Sequence, residues 1–312
     1  MNLLKVEFLD SIDKRIILAL DENCRLSYQA LAEKLGLTAT AIRKRLDRLT
    51  KTGVIEEFSI VLRPAMMDSD YLIALVSTDG SENEAAFIEQ IGSNLMVIQV
   101  GQVVTSTGRL YFVHSEYIGA EGLQNLGTFL RTLEPVTDIE LHTTLIQRGE
   151  KFDIKNLHLR VLKLLLDDAR MQVSEISERT GLTSRRVSRA IQEMQDSNAF
   201  WFAARWNLSL GSNTEFYLKI KYDEQTATKD VVDEWLRDAF PDEYWFSFYS
   251  AMEPTLFAKF VTDHFREAEE ISRTVKNAPF LKSVDVLLSY PVKKFPRLGR
   301  ILIEEMIEES GV

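Results

Sequence analysis

Residues 24–49, CRLSYQALAEKLGLTATAIRKRLDRL, lie over residues 169–194, ARMQVSEISERTGLTSRRVSRAIQEM, without a gap at an offset of 145. Arg25 meets Arg170, Gly36-Leu37-Thr38 meets Gly181-Leu182-Thr183, Ile42 meets Val187 and Leu46 meets Ile191. A chain of 312 residues that repeats itself this way is a duplication. Whatever architecture one half adopts, the other half has the pattern to adopt as well.

Each repeat opens with an amphipathic helix. Ile12, Ile16, Ile17 and Leu20 in one, and Leu157, Val161, Leu164 and Leu165 in the other, recur at three- and four-residue steps. A short second helix ends at Gly36 or Gly181, where a left-handed residue terminates a helix without strain. Thr38 and Thr183 follow, placed to cap the next helix by accepting its free N–H groups. Helix, glycine turn and helix is the helix-turn-helix pattern. The β-branched and aromatic runs GVIEEFSIVLRP and NAFWFAARWNLSLG come next, and each is expected to form a short hairpin, the wing of a winged helix.

Behind each block the order changes to strand, helix, strand, strand, helix, strand. The first copy reads as strand 70–78, helix 83–93, strands 96–105 and 109–115, helix 119–133 and strand 138–147. The second reads as strand 214–223, helix 227–239, strands 243–252 and 255–262, helix 264–277 and strand 281–290. This βαββαβ order predicts an α+β, ferredoxin-like sheet with two helices on one face. The first-copy strands carry apolar residues on both faces, so the open face is expected to pack on a second sheet. The expected domains are therefore a winged helix-turn-helix at 1–64, a regulatory sheet domain at 65–150, a second winged helix-turn-helix at 151–211, a second sheet domain at 212–292 and a C-terminal helix at 293–312. That last helix reads either as a subunit contact or as a cover for its own domain.

The net charge of −10 argues against a chain coated in basic surface, but the charge is uneven. Residues 10–63 carry 10 Lys+Arg against 8 Asp+Glu, and residues 152–206 carry 9 against 7, leaving the remainder at −14. Two mildly basic blocks sit inside an acidic chain, and they coincide with the two helix-turn-helix segments. The acidic sheets are expected to point away from a polyanion. A single cysteine, Cys24, and histidines at 114, 142, 158 and 264 give no zinc-ligand spacing, so no metal or other cofactor is expected. No apolar run reaches bilayer length, and the first residues lack a signal-peptide core, so no membrane partner and a cytoplasmic location are expected.

The stretch LDSIDKRIILALDENCRLSYQALAEKLGLTATAIRKRLDRLTKTGVIEEF at 9–58 resembles the leucine-responsive regulatory protein family, Lrp/AsnC. The likeness rests on the Leu-Asp-x-x-Asp opening, Arg-x-Ser before the second helix, the Gly-Leu-Thr turn, Arg-x-x-x-Leu and Gly-Val-Ile. It implies a DNA-binding transcriptional regulator and no enzyme. Copy two departs where His158 replaces the second Asp and Asn198-Ala199-Phe200 replaces Gly-Val-Ile. Members of the family usually carry one copy and pair through their sheets, so the two copies here are expected to pair within one chain, or as a homodimer.

A helix-turn-helix lays its second helix in the major groove. Thr38, Thr40, Arg43 and Lys44 are then expected near bases, with Arg45, Arg48 and Lys51 nearer phosphates; the second copy offers Thr183, Ser184, Arg185, Arg186, Ser188 and Arg189. Arg185 and Arg186 stand in a first helical turn, where cations oppose the helix dipole and a phosphate or guanine would explain them. Two unlike heads favour a partly symmetric DNA site. The resemblance also implies a small-molecule, amino-acid-like effector, whose place would be the turn with Gly101, Thr105, Thr107, Gly108 and Arg109; Tyr111 stands where the family has an acidic residue. Two other readings stay open: an enzyme like the sirohaem decarboxylases, which pair similar units, and a winged helix that binds protein.

Overall fold

The computed structural model describes residues 9–105, 108–145, 147–210, 213–289 and 291–312. Helices α1 (Ser11–Glu22), α2 (Tyr28–Leu35) and α3 (Ala39–Lys51) lead into strand β1 (Ile55–Leu62). The first sheet segment is β2 (Ser69–Thr78), α4 (Glu84–Gly92), β3 (Val97–Thr105), β4 (Gly108–Ile118), α5 (Gly119–Thr132) and β5 (Val136–Leu145). The second repeat runs through α6 (Asn156–Leu165), α7 (Val173–Thr180), α8 (Ser184–Asp196) and β6 (Phe200–Trp206). It continues with β7 (Thr214–Tyr222), α9 (Lys229–Ala239), β8 (Tyr244–Ser250), β9 (Thr255–Thr262), α10 (Phe265–Lys276) and β10 (Leu281–Ser289). A short β11 (Lys293–Lys294) and α11 (Leu298–Ser310) end the chain. The chain is α+β, with helix-turn-helix and βαββαβ segments alternating twice, as the repeat requires.

Two compact units emerge, and each draws on both repeats. One holds residues 10–69, 148–210 and 296–312; the other holds Leu9 and the described residues of 70–147 and 211–295.

The helical unit corrects one expectation. Neither β1 nor β6 folds back into a wing hairpin; the two pair with each other, antiparallel, from Ile55↔Trp206 to Leu62↔Phe200. The reason is local: neither strand has within it a glycine, proline or asparagine that could make a two-residue turn, so each stays a single strand with an unpaired edge. Phe58 faces Ala204 and Ser59 faces Ala203, and these four are one another's equivalents at the offset of 145. The ladder is thus symmetric about an approximate two-fold axis. The strand also exchanges cores: Ile60 and Leu62 of β1 are buried with Leu159, Leu162, Val187 and Ile191 of the second helix set. Helix α11 joins this core through Ile303 and Ile307, so it covers its own chain.

In the other unit each repeat builds the expected four-stranded antiparallel sheet, in the order β3-β4-β2-β5 and β10-β7-β9-β8. The sheets join at both edges, β5 to β8 and β10 to β3, closing an eight-stranded ring, and β11 adds to β3 beside that seam. The inner faces meet in one cluster that includes Ile73, Leu75 and Phe112 from one repeat and Tyr217, Phe257 and Leu287 from the other. Phe112 and Tyr217 stack at 4.8 Å. Closure removes the open sheet edges that would otherwise template pairing with other chains. Among the described residues no helix is long and apolar enough to cross a membrane.

Candidate nucleic-acid interface

Helix α3 is fixed from three sides. Gly36 takes φ +70 and closes α2, the Thr38 side chain accepts from Ala41 N, and Ile42, Leu46 and Leu49 are buried. Burying an aliphatic side chain of this size contributes about 1.5–3 kcal/mol, enough for the three to hold the helix in place. Helix α8 repeats the arrangement with Gly181 at φ +66, Thr183 accepting from Arg186 N, and Val187, Ile191 and Met194 buried. The faces left outside carry the cations.

On α3 the structure separates residues that look alike in sequence. Thr40, Arg43, Lys44 and Lys51 are exposed, and Arg43 only approaches Asp47 at 4.0 Å. Arg45 instead binds Asp10 at 2.7 Å and Asp13 at 2.8 Å, and Arg48 also binds Asp13. Asp13 is fully buried. Both guanidiniums, expected nearer phosphates, are engaged by a buried carboxylate and tie α1 to α3.

On α8, Thr183, Ser184, Arg185, Arg186, Ser188 and Arg189 are all exposed. Thr183 spends its hydroxyl as the cap, Ser184 Oγ lies 3.3 Å from Ser177 Oγ, and Arg189 Nε donates to Glu193 at 2.7 Å. Among the described residues, Arg185 and Arg186 have no ion-pair or side-chain hydrogen-bond partner.

The tie between first and recognition helix recurs in the second repeat with donor and acceptor exchanged. His158 stands at the equivalent of Asp13, and Glu193 at that of Arg48. The Lys155 backbone N–H donates to His158 Nδ1 at 3.1 Å, which leaves Nε2 to donate to Glu193 Oε2 at 3.0 Å. The His158 ring and then Arg189 hold the Glu193 carboxyl below its usual range. A sequence signal was present: positions 13 and 48 change together at the offset of 145.

In the barrel the proposed effector residues are only partly brought together. Gly101 pairs with Phe112, Thr105 ends β3 and Gly108 opens β4; Thr107 lies outside the described residues. Arg109 Nη1 donates to Glu82 O at 3.2 Å and lines a cavity of about 1060 Å³ with Leu75, Leu110, Glu140, Lys219 and Leu287. Sequence reading did not assemble a polar cluster around His142 in the same unit. His142 has Nε2 3.0 Å from Glu140 Oε1 and Nδ1 3.2 Å from Ser250 Oγ. Ligand atoms of Glu140, His142 and Glu253 lie within 4.8 Å of one another, the donor set a divalent ion uses. Lys219 holds Glu140 and Lys221 holds Glu253, so each carboxylate already faces an ammonium group.

Residues 9–56 and 154–198 both match the family model for winged helix-turn-helix DNA-binding domains. An uncharacterised HTH-type transcriptional regulator of Pyrococcus horikoshii is 28% identical over 127 residues, covering 40% of this chain and 80% of that protein. Another from the same organism is 28% identical over 151 residues, covering 47% of this chain and 97% of its own. The chain carries the winged helix-turn-helix DNA-binding unit twice, in tandem. The chain also aligns with the crystal structure of the siroheme decarboxylase NirDL in co-complex with an iron-uroporphyrin III analogue, over 96% of this chain and 100% of that one, at a TM-score of 0.55. At 11% identity that likeness is one of fold.

Proposed function

We propose that this chain is a DNA-binding transcriptional regulator in which one polypeptide supplies both reading heads. The observation that carries it is the two-fold β1–β6 ladder, which sets two recognition helices of the same design, α3 and α8, about one axis. Two helices so related address inverted half-sites on one duplex. Their exposed residues differ: Arg43 and Lys44 on α3, and Arg185, Arg186 and Arg189 on α8. The half-sites are accordingly unequal, with guanine favoured under the first turn of α8.

In this reading the chain acts by binding and catalyses nothing. A small polar, amino-acid-like effector would enter the barrel cavity beside Arg109, where apolar walls and charges of both signs meet.

The test is an Arg185→Ala/Arg186→Ala variant assayed by mobility shift on duplexes selected from a random pool, at stated salt. Each arginine that reads a base should cost about 1–3 kcal/mol and relax specificity at its position. The melting temperature should hold, because both side chains are exposed. Unchanged affinity and specificity would refute the assignment. Titrating a carboxylated tetrapyrrole should leave its absorbance unaltered; a stoichiometric shift would favour the enzyme reading instead.

A further inference from the structure

We propose that Arg25 and Arg170 form a paired clamp that fixes the separation of the two recognition helices, and with it the half-site spacing that the chain accepts. The proposal rests on the DNA-binding reading above. Arg25 lies between α1 and α2, and Arg170 is its equivalent between α6 and α7. Each guanidinium crosses to the other repeat. Arg25 donates from Nη1 to Ala169 O at 2.5 Å and from Nη2 to Met171 O at 3.2 Å. Arg170 Nη1 donates to Cys24 O and, at 3.0 Å, to Leu26 O. The acceptors are themselves equivalents, Cys24 of Ala169 and Leu26 of Met171, so the exchange is reciprocal about the ladder's axis.

Backbone bonds support the clamp on both sides. Cys24 N donates to Phe202 O at 2.6 Å, and Ala169 N donates to Phe58 O at 2.9 Å. Arg170 also lies 5.2 Å from the Phe58 ring and 5.6 Å from the Tyr28 ring, within cation–π reach. Two like charges share this site with carbonyls as their acceptors, and burial lowers the Arg25 pKa. A solubilising arginine has no reason to accept such a position.

The ladder alone does not set the heads' separation, because two-stranded ribbons vary widely in twist. A link between the segments that lead into α2 and α7 removes that freedom. Each head then follows as a rigid helix-turn-helix. Arg25 and Arg170 are thus positioning residues that act on DNA through α3 and α8.

The experiment uses the full chain and a duplex selected from a random pool by the wild type, rebuilt with one or two base pairs added or removed between the half-sites. Wild type should discriminate sharply against the altered spacings. Arg25→Met/Arg170→Met should lose roughly tenfold of that discrimination, the equivalent of about 1.4 kcal/mol of positioning. If this variant fails to fold by circular dichroism, Arg25→Lys/Arg170→Lys, which keeps the charge but loses the fork, is measured against the same criterion. A folded variant with the wild-type spacing profile overturns the clamp while leaving the DNA-binding reading intact. Failure of the wild type to select any duplex overturns that reading, and the clamp's role falls with it.

Discussion

Asp13→Asn removes the buried carboxylate that ties α1 to α3 through Arg45 and Arg48. Breaking a fully buried ion pair from one side costs about 3–5 kcal/mol. Here the guanidinium side chains keep 26% and 36% exposure and can turn toward water, so the expected loss is about 1–3 kcal/mol. Asp13→His should cost at least as much, since an imidazole then meets Arg48, and Arg48→Glu likewise sets two carboxylates together. The combined change installs in the first repeat the pair that the second already uses, while Arg45 keeps Asp10 at 2.7 Å. The double variant should therefore be more stable than the two single losses added together, by a coupling of about 1 kcal/mol or more. Because the chain holds two units, native-state hydrogen exchange on the α3 amides is the suitable assay, in place of a whole-chain melt. Strict additivity of the two losses, or a cost below about 0.5 kcal/mol for Asp13→Asn, would refute the reasoning.

Two further outcomes follow from buried titratable groups. Burial pushes the Cys24 thiol up to about 12, so a thiol reagent at pH 8 should label it only after denaturant opens the helical unit. Rapid reaction of one equivalent in native buffer would contradict that burial. In the barrel, the His142 ring beside it and then Lys219 hold Glu140 at about 2, below its value in an unfolded chain. Its contribution to stability is thus full above about pH 4.3 and is lost as the pH falls through about 2. Lys219→Met should flatten this acid dependence, and an acid titration of the barrel unit that matches wild type would count against it.

Much of the fold was legible because its cause is local. Gly36 and Gly181 announce left-handed helix ends, Thr38 and Thr183 announce caps, and the sheet strands fall within three residues of their alternation patterns. What stayed hidden was the choice of partner. Strand β1 is plainly a strand, yet its ladder lies on Phe200–Trp206, and no local pattern names a partner so distant. Arg25 and Arg170 spend their charge on main-chain carbonyls, which every residue has and which no sequence pattern marks. Arg45 and Arg48 look like the exposed cations beside them because the carboxylate that holds them sits on another helix.

The duplication itself supplies a way to separate inward from outward roles. Positions 13 and 48 change together between repeats, Asp to His and Arg to Glu, and the structure places each pair in contact. A change answered inside the chain marks a contact inside the chain. Thr40 and Ala41 become Arg185 and Arg186, which are exposed and, among the described residues, have no ion-pair or side-chain hydrogen-bond partner. The same comparison gives Arg43 in one head and Ser188 in the other, so the heads differ in where along the helix their charge is placed. A duplex that suits one head is then a poor match for the other, which is why the unequal half-sites proposed above follow from the pattern of differences as well as from the arginines themselves.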